Sequence, residues 1–223
     1  MKIAIYGTHG AGKEAFSIIQ VMNQTEKKWD EIIFIDDVQE EGTLYDCQMM
    51  KYNSFLRKYN PDMVCVHVAI GEPIVKRKLA DKVRQDGFQL ETLIHPTVKI
   101  GNNVKIGNNV RIKKYAVIEG NVTIQDSVTL ENSVIIQGGY GGEEQTLIGE
   151  GSMLAAQTMI GSGVEIGENV FVGIRSVIVP KTVIGDNAII SMGSVVVSGV
   201  EEESIVAGNP ARIISKKAGR VFK

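Results

Sequence analysis

Residues 94–136 read IHPTVKIGNNVKIGNNVRIKKYAVIEGNVTIQDSVTLENSVII, and residues 148–196 read IGEGSMLAAQTMIGSGVEIGENVFVGIRSVIVPKTVIGDNAIISMGSVV. An aliphatic residue returns every six positions. From Ile94 to Val196 the series has eighteen slots, seventeen of them Ile, Leu or Val, and Gly142 alone breaks it. Four positions after each slot stands Val, Ala, Ser or Thr, with Tyr140 as the exception. Glycine often follows the slot directly, as in IGNNVK, IGSGVE and IGDNAI. A period of six matches neither the 3.6 of a helix nor plain strand alternation. It matches a coil of three short strands, each sending one aliphatic side chain inward, with a small residue near the corner and Gly or Asn in the turn. Eighteen hexads over 94–201 make six coils of 18 residues. At about 4.8 Å per coil that is a prism roughly 29 Å long. Each enclosed slot contributes about 1.5–3 kcal/mol of apolar burial.

The preceding residues have a different grammar. KIAIY (2–6), IIFI (32–35) and MVCVHVAI (63–70) read as buried strands, and 14–22, 53–59 and 74–86 carry helical patterning. Strands alternating with helices imply a parallel sheet of about four strands that binds ligands at the strand C-termini. QLETLIHP (89–96) leads into the first coil without a flexible linker, so a rigid junction is expected. The division is therefore 1–93 for an α/β domain, 94–201 for a parallel β-helix and 202–223 for a C-terminal cap.

GTHGAGKE (7–14) satisfies the G-x4-G-K of a P-loop, but Glu14 stands where that motif needs Ser or Thr to hold magnesium. Nucleotide hydrolysis is disfavoured accordingly. What survives is a glycine-rich strand-to-helix turn, which either binds an anion with its amides or is simply a tight turn. Asp36 and Asp37, after IIFI, have the chemistry to accept hydrogen bonds from ribose hydroxyls or a uracil edge, and equally that of a solvated turn. Lys and Arg number 24 against 26 Asp and Glu, a formal charge of -2 that offers no handle for nucleic acid or an anionic membrane. No segment approaches the roughly 18 apolar residues of a membrane span, and the N-terminus reads as a strand, not as a secretory signal. Cys47 and Cys65 lack metal-type pairing and fit a reducing, cytoplasmic setting.

IYGTHGAGKEA, FIDD, AIGEP and LIHPTVKIG, followed by the hexad coils and VAGNPARII, resemble the bacterial sugar O- and N-acyltransferases, which include sialic acid O-acetyltransferases and the N-acetyltransferases of UDP-4-amino sugars. The resemblance spans nearly the whole chain. It implies a Rossmann-like N-terminal domain, a left-handed β-helix, a homotrimer, and acetyl-CoA as co-substrate in the groove between neighbouring β-helices, with no metal. Met153, Ile174 and Met192 are the positions it places on that groove. For the nucleotide-sugar acceptor, UDP-linked in the first instance, it indicates His9, Gly10, Ala11, Asp36, Asp37 and Gly71. The product would enter surface glycan synthesis.

The family's transfer chemistry uses a histidine followed by an acid, in a hexad resembling V-E-H-D-C-V. The hexad in register here is Gly142-Glu143-Glu144-Gln145-Thr146-Leu147, so Glu144 replaces the histidine and Gln145 the acid. Gln137 stands where relatives often carry asparagine. The three histidines are His9, His67 and His95; His67 and His95 read as structural, and none lies in the coils after the first. Glu144 is then the base, or the site is altered for another acyl group or acceptor, or the protein is a hexapeptide-repeat trimer that binds without turnover. A zinc carbonic anhydrase on the same scaffold is excluded by the missing histidine ligands. The N-terminal segment is also too small for a sugar-nucleotide pyrophosphorylase.

Overall fold

The computed structural model describes residues 1–139 and 145–216. The chain forms two compact units, Met1–Pro96 and a second beginning at Thr97.

The first unit is built on β1 (Lys2–Tyr6), α1 (Gly10–Thr25), β2 (Glu31–Ile35), β3 (Gly42–Leu44), β4 (Cys47–Met50), α2 (Tyr52–Lys58), β5 (Val64–Val68) and α3 (Pro73–Gln85). The sheet order is β3-β4-β2-β1-β5. Four strands run parallel, as the alternating pattern predicts, and β3 adds an antiparallel edge through a hairpin with β4. That hairpin is absent from the sequence reading. Its turn residues Tyr45 and Asp46 take φ of 52° and 59° without the Asn or Gly that usually marks such a turn. Alternation along β1 divides the core. Ile3 and Ile5 join Phe16, Ile19, Trp29 and Phe34 on the α1 side, whereas Ala4 and Tyr6 join Tyr52, Phe55, Ala80 and Val83 on the α2 and α3 side. His67 is fully buried in β5 with Nδ1 2.9 Å from the Glu91 carbonyl, a packed strand residue as expected.

The second unit is a three-faced parallel β-helix. Its first face stacks the strands at Ile100, Ile118, Ile136, Ile160, Ile178 and Val196. A second stacks Ile106, Ile124, Ile148, Ile166 and Ile184, and a third Ile112, Leu130, Leu154, Val172 and Ile190. From Ile112 to Val196 these inward side chains are at most 2% exposed. Ser and Thr at the small-residue position do more than fit. Thr182 Oγ1 donates to the Val179 carbonyl, and Ser152 Oγ donates to Gly167 O while accepting from Val170 N, satisfying corner backbone that would otherwise be buried unpaired.

The expectation of six uniform 18-residue coils needs one correction. Ile118 pairs with Ile136, 18 residues on, but Ile136 pairs with Ile160, and likewise Ile124 with Ile148 and Leu130 with Leu154, each 24 residues on. One coil therefore holds a surplus hexad, and the hexad count overstates the ladder by one rung. Asn121 Nδ2 donates to Gly139 O, still 18 residues away, and Val122 is the register partner of Thr146. The surplus thus falls between Gly139 and Thr146. Its corner is held on both sides: Thr146 Oγ1 donates to Gln137 O (2.7 Å) and accepts from Gly163 N (3.0 Å), while Gln145 Nε2 bonds Thr123 Oγ1. Tyr140 to Glu144, and with them the base candidate Glu144, lie outside the described residues. The chain then closes on an antiparallel hairpin, Ile205–Gly208 with Ala211–Ser215, joined to the third face beside Ile189–Ile190.

Candidate functional site

The tight turn from β1 into α1 requires glycine at two places. Gly7 has φ +123°, and a Cβ there would stand 2.6 Å from the Ala69 carbonyl; a Cβ on Gly12 would stand 2.0 Å from the Gly7 carbonyl. These two weld the loop to β5 and to α1. Gly10 differs, because a Cβ on it would meet nothing within 4 Å. Packing does not demand that glycine; its effect is to leave the helix N-terminus open.

His9 occupies the N-cap of α1 with no capping side-chain bond, and the first turn carries no acid. The N-terminus of α3, by contrast, is already neutralised, since the Glu72 carboxylate accepts from Val75 N at 2.7 Å. Of the two helix N-termini at these strand ends, that of α1 therefore lacks such a side-chain cap.

A cavity of about 590 Å³ opens at these strand ends. His9, Gly10, Ala11, Asp36, Asp37 and Gly71, the residues expected to hold the acceptor, all line it, together with Tyr6, Thr8 and the apolar side chains Ile70, Val75 and Leu79. Asp36 is 7% exposed. Burial raises its pKa, but the Thr8 hydroxyl and the Gln39 and Val38 amides outweigh that and hold the carboxyl below its ordinary range. Asp37 Oδ1 accepts from Tyr52 N (2.9 Å) and its Oδ2 from the Tyr6 hydroxyl. Burial, and then the bond to Asp37, push the Tyr6 phenol far up, so it remains a donor. Thr8, Tyr6 and Tyr52 are site residues that the sequence did not reveal, because their partners lie 28, 31 and 15 positions away.

Two family models match the chain: the PglD N-terminal domain over residues 2–83, and the six-repeat bacterial transferase hexapeptide over 103–138 and 163–198. The chain thus joins a PglD-type N-terminal domain to a bacterial-transferase hexapeptide-repeat domain. Among solved structures, PerB from Caulobacter crescentus, in complex with CoA and GDP-perosamine, is 21% identical with a TM-score of 0.81, covering 96% of this chain and 98% of its own. The acetyltransferase domain of PglB from Neisseria gonorrhoeae, in complex with acetyl coenzyme A, is 22% identical with a TM-score of 0.66, covering 96% and 98%. WeeI from Acinetobacter baumannii is 22% identical with a TM-score of 0.64, covering 96% and 100%. This chain shares with them the α/β domain followed by a left-handed parallel β-helix.

The three positions expected on the donor groove fall on the β-helix surface. Ile174 and Met192 are 43% and 74% exposed and stack on successive coils at the corner between the third and first faces, where Gly193 N donates to Ile174 O at 2.8 Å. Met153 is half-buried on the third face and pairs in register with Phe171. Among the described residues no group of three or more His, Cys, Asp and Glu is arranged for a metal, and no helix is long and apolar enough to cross a membrane.

Proposed function

We propose that this protein transfers an acetyl group from acetyl-CoA to an amino group, or alternatively a hydroxyl group, of a nucleotide-linked sugar. The observation that carries the reading is the convergence of His9, Gly10, Ala11, Asp36, Asp37 and Gly71 on one cavity at an uncapped helix N-terminus. A diphosphate lies against the α1 amides, the nucleoside reaches toward the β2 carboxylates, and the apolar wall of Ile70, Val75 and Leu79 excludes water. The donor takes the Ile174–Met192 corner, with Met153 along the arm. A UDP-sugar acceptor, a homotrimer, a cytoplasmic location and a place in surface glycan synthesis complete the reading.

Direct transfer from a thioester needs a group to take the nucleophile's proton and donors for the developing oxyanion. Glu144 is the base we assign. Carboxylates serve best for a nucleophile that gives up its proton readily, and an amine with a pKa of about 7–8 does so far more easily than a hydroxyl. The absence of a histidine and a following acid in that hexad favours the rival reading, a trimer that binds a nucleotide sugar without turnover.

Calorimetry with acetyl-CoA tests the first half without knowledge of the acceptor. We expect saturable micromolar binding near one site per chain; no heat at millimolar ligand overturns the enzyme reading. Glu144→Ala then lowers turnover on an amino-sugar nucleotide by about 10²-fold or more if that carboxylate is the base. Unchanged turnover removes Glu144 from the mechanism.

A further inference from the structure

The lysine that closes GTHGAGK (7–13) has no part in the cavity of His9 and Asp36. In a P-loop that lysine reaches the phosphates, but Lys13 does not line that cavity. It lines a second one, of about 400 Å³, on the flank of α1, with Phe16, Ser17 and Gln20 of the same helix and Tyr45 and Asp46 of the β3–β4 turn. Positions 13, 16, 17 and 20 fall on one helix stripe, so α1 supplies a whole wall. The turn supplies the other. Leu44 pairs with Cys47, leaving a two-residue loop in which Tyr45 and Asp46 take φ of 52° and 59°. Such conformations at residues other than Gly and Asn cluster at ligand clamps. The tyrosine is kept there by its ring, which stacks on Phe16 at 5.0 Å and 11°, and the Cys47 thiol donates to Tyr45 O at 3.4 Å. That seating places Asp46 on the cavity wall.

The two walls carry opposite charges that are not spent on each other. Among the described residues neither Lys13 nor Asp46 takes part in an ion pair, with the other or with a third group. The Gln20 amide likewise has no hydrogen-bond partner among the described residues, and the Ser17 hydroxyl donates to Lys13 O at 3.1 Å, which leaves its oxygen able to accept. An ammonium and a carboxylate thus share one cavity beyond pairing reach. A simple anion there meets the repulsion of Asp46, and a simple cation that of Lys13; a ligand bearing both charges satisfies both. We propose that this cavity binds a small zwitterion, an aliphatic amino acid whose carboxylate pairs with Lys13 Nζ and whose ammonium pairs with the Asp46 carboxylate. The proposal stands apart from the nucleotide-sugar reading, since no residue lines both cavities.

The test is calorimetry on the full chain with glycine, β-alanine, 4-aminobutyrate and 6-aminohexanoate, a series that changes only the separation of the two charges. One length should bind best, saturably and near one site per chain. Its amide, which lacks the carboxylate, and its N-acetyl derivative, which lacks the ammonium, should each bind about tenfold more weakly, the ratio expected for one charge-assisted hydrogen bond. Lys13→Met and Asp46→Asn should each weaken the parent by about the same factor. Asparagine tolerates the left-handed turn, so the second variant keeps the hairpin. No saturable heat from any of the four at millimolar concentration overturns the proposal. So does a wild-type protein that binds the singly charged analogues as well as the parent, a comparison that needs no variant. Loss of binding in only one of the two variants also overturns it, because both charges are required.

Discussion

Asp36 carries a stability signature separate from any ligand. Its folded pKa is depressed by Thr8, Gln39 and Val38 against the opposing effect of burial. A depressed carboxyl binds fewer protons folded than unfolded, so its contribution is complete above the ordinary value of 3.8 and drains away as pH falls through the lower folded value. Thermal melts from pH 7 down to about pH 3 should therefore steepen at the acid end. Asp36→Asn should flatten that limb while lowering the melting temperature at pH 7, because an amide cannot accept from two backbone N–H groups and a hydroxyl as a carboxylate does. An unchanged acid limb in the variant would assign it to other depressed carboxyls, such as Glu31, held down by Lys2 despite the opposing effect of burial. Buried Cys65, pushed up to about 12 by burial, stays a neutral thiol throughout this range and adds no slope of its own.

At the scale of elements, the Thr146 hydroxyl ties together the described segments on either side of the surplus hexad. Thr146 is fully buried, and its Oγ1 both donates to Gln137 O and accepts from Gly163 N, tying three successive segments. Thr182 makes one local bond, to Val179 O. Thr146→Val strands two part-buried backbone groups and should cost about 1–3 kcal/mol, against roughly 1 kcal/mol for Thr182→Val, measured by urea unfolding. Equal losses would show that the corner is not specially held. Much of this architecture is legible in the sequence because a β-helix is locally encoded: each hexad declares its own inward residue, and the strand-helix alternation of 1–93 does the same at longer period. The surplus hexad hides because six residues preserve the period; Gly142 and Tyr140 break both residue series, yet nothing in the count says that a rung is missing. The β3–β4 hairpin hides for another reason. Tyr45 stacks on Phe16 at 5.0 Å, so a tertiary contact keeps a tyrosine in a left-handed turn that local propensity would give to Asn or Gly. The hydrogen bonding of Asp36 and Asp37 depends on Thr8, Tyr6 and Tyr52, which no local pattern links to them.

For the whole molecule, the outward column of the first β-helix face reads Lys99, Val117, Ile135, Met159, Val177 and Val195. Val117, Ile135 and Met159 are 37%, 39% and 37% exposed, a contiguous apolar stripe. On the second face Lys105, Thr123 and Glu165 interrupt the corresponding column. Contiguous apolar surface of this kind is what subunit interfaces cover. The corner of Ile174 and Met192 lies along one margin of that face, since the chain passes from Ile174 into the strand Val177–Ile178. A neighbouring subunit seated on the stripe would supply the second wall of the donor groove. Sedimentation velocity should accordingly find a trimer at micromolar concentration. Met159→Glu places a charge mid-stripe, where burial without a partner is strongly unfavourable, and should yield monomers that retain the fold by circular dichroism. Those monomers should bind acetyl-CoA at least tenfold more weakly while their affinity for UDP is unchanged, because the cavity proposed for the nucleotide is lined only by residues of the first unit. A monomeric wild type, or a monomeric variant with full acetyl-CoA affinity, would show that one β-helix binds the donor alone and would remove the intersubunit groove from the account.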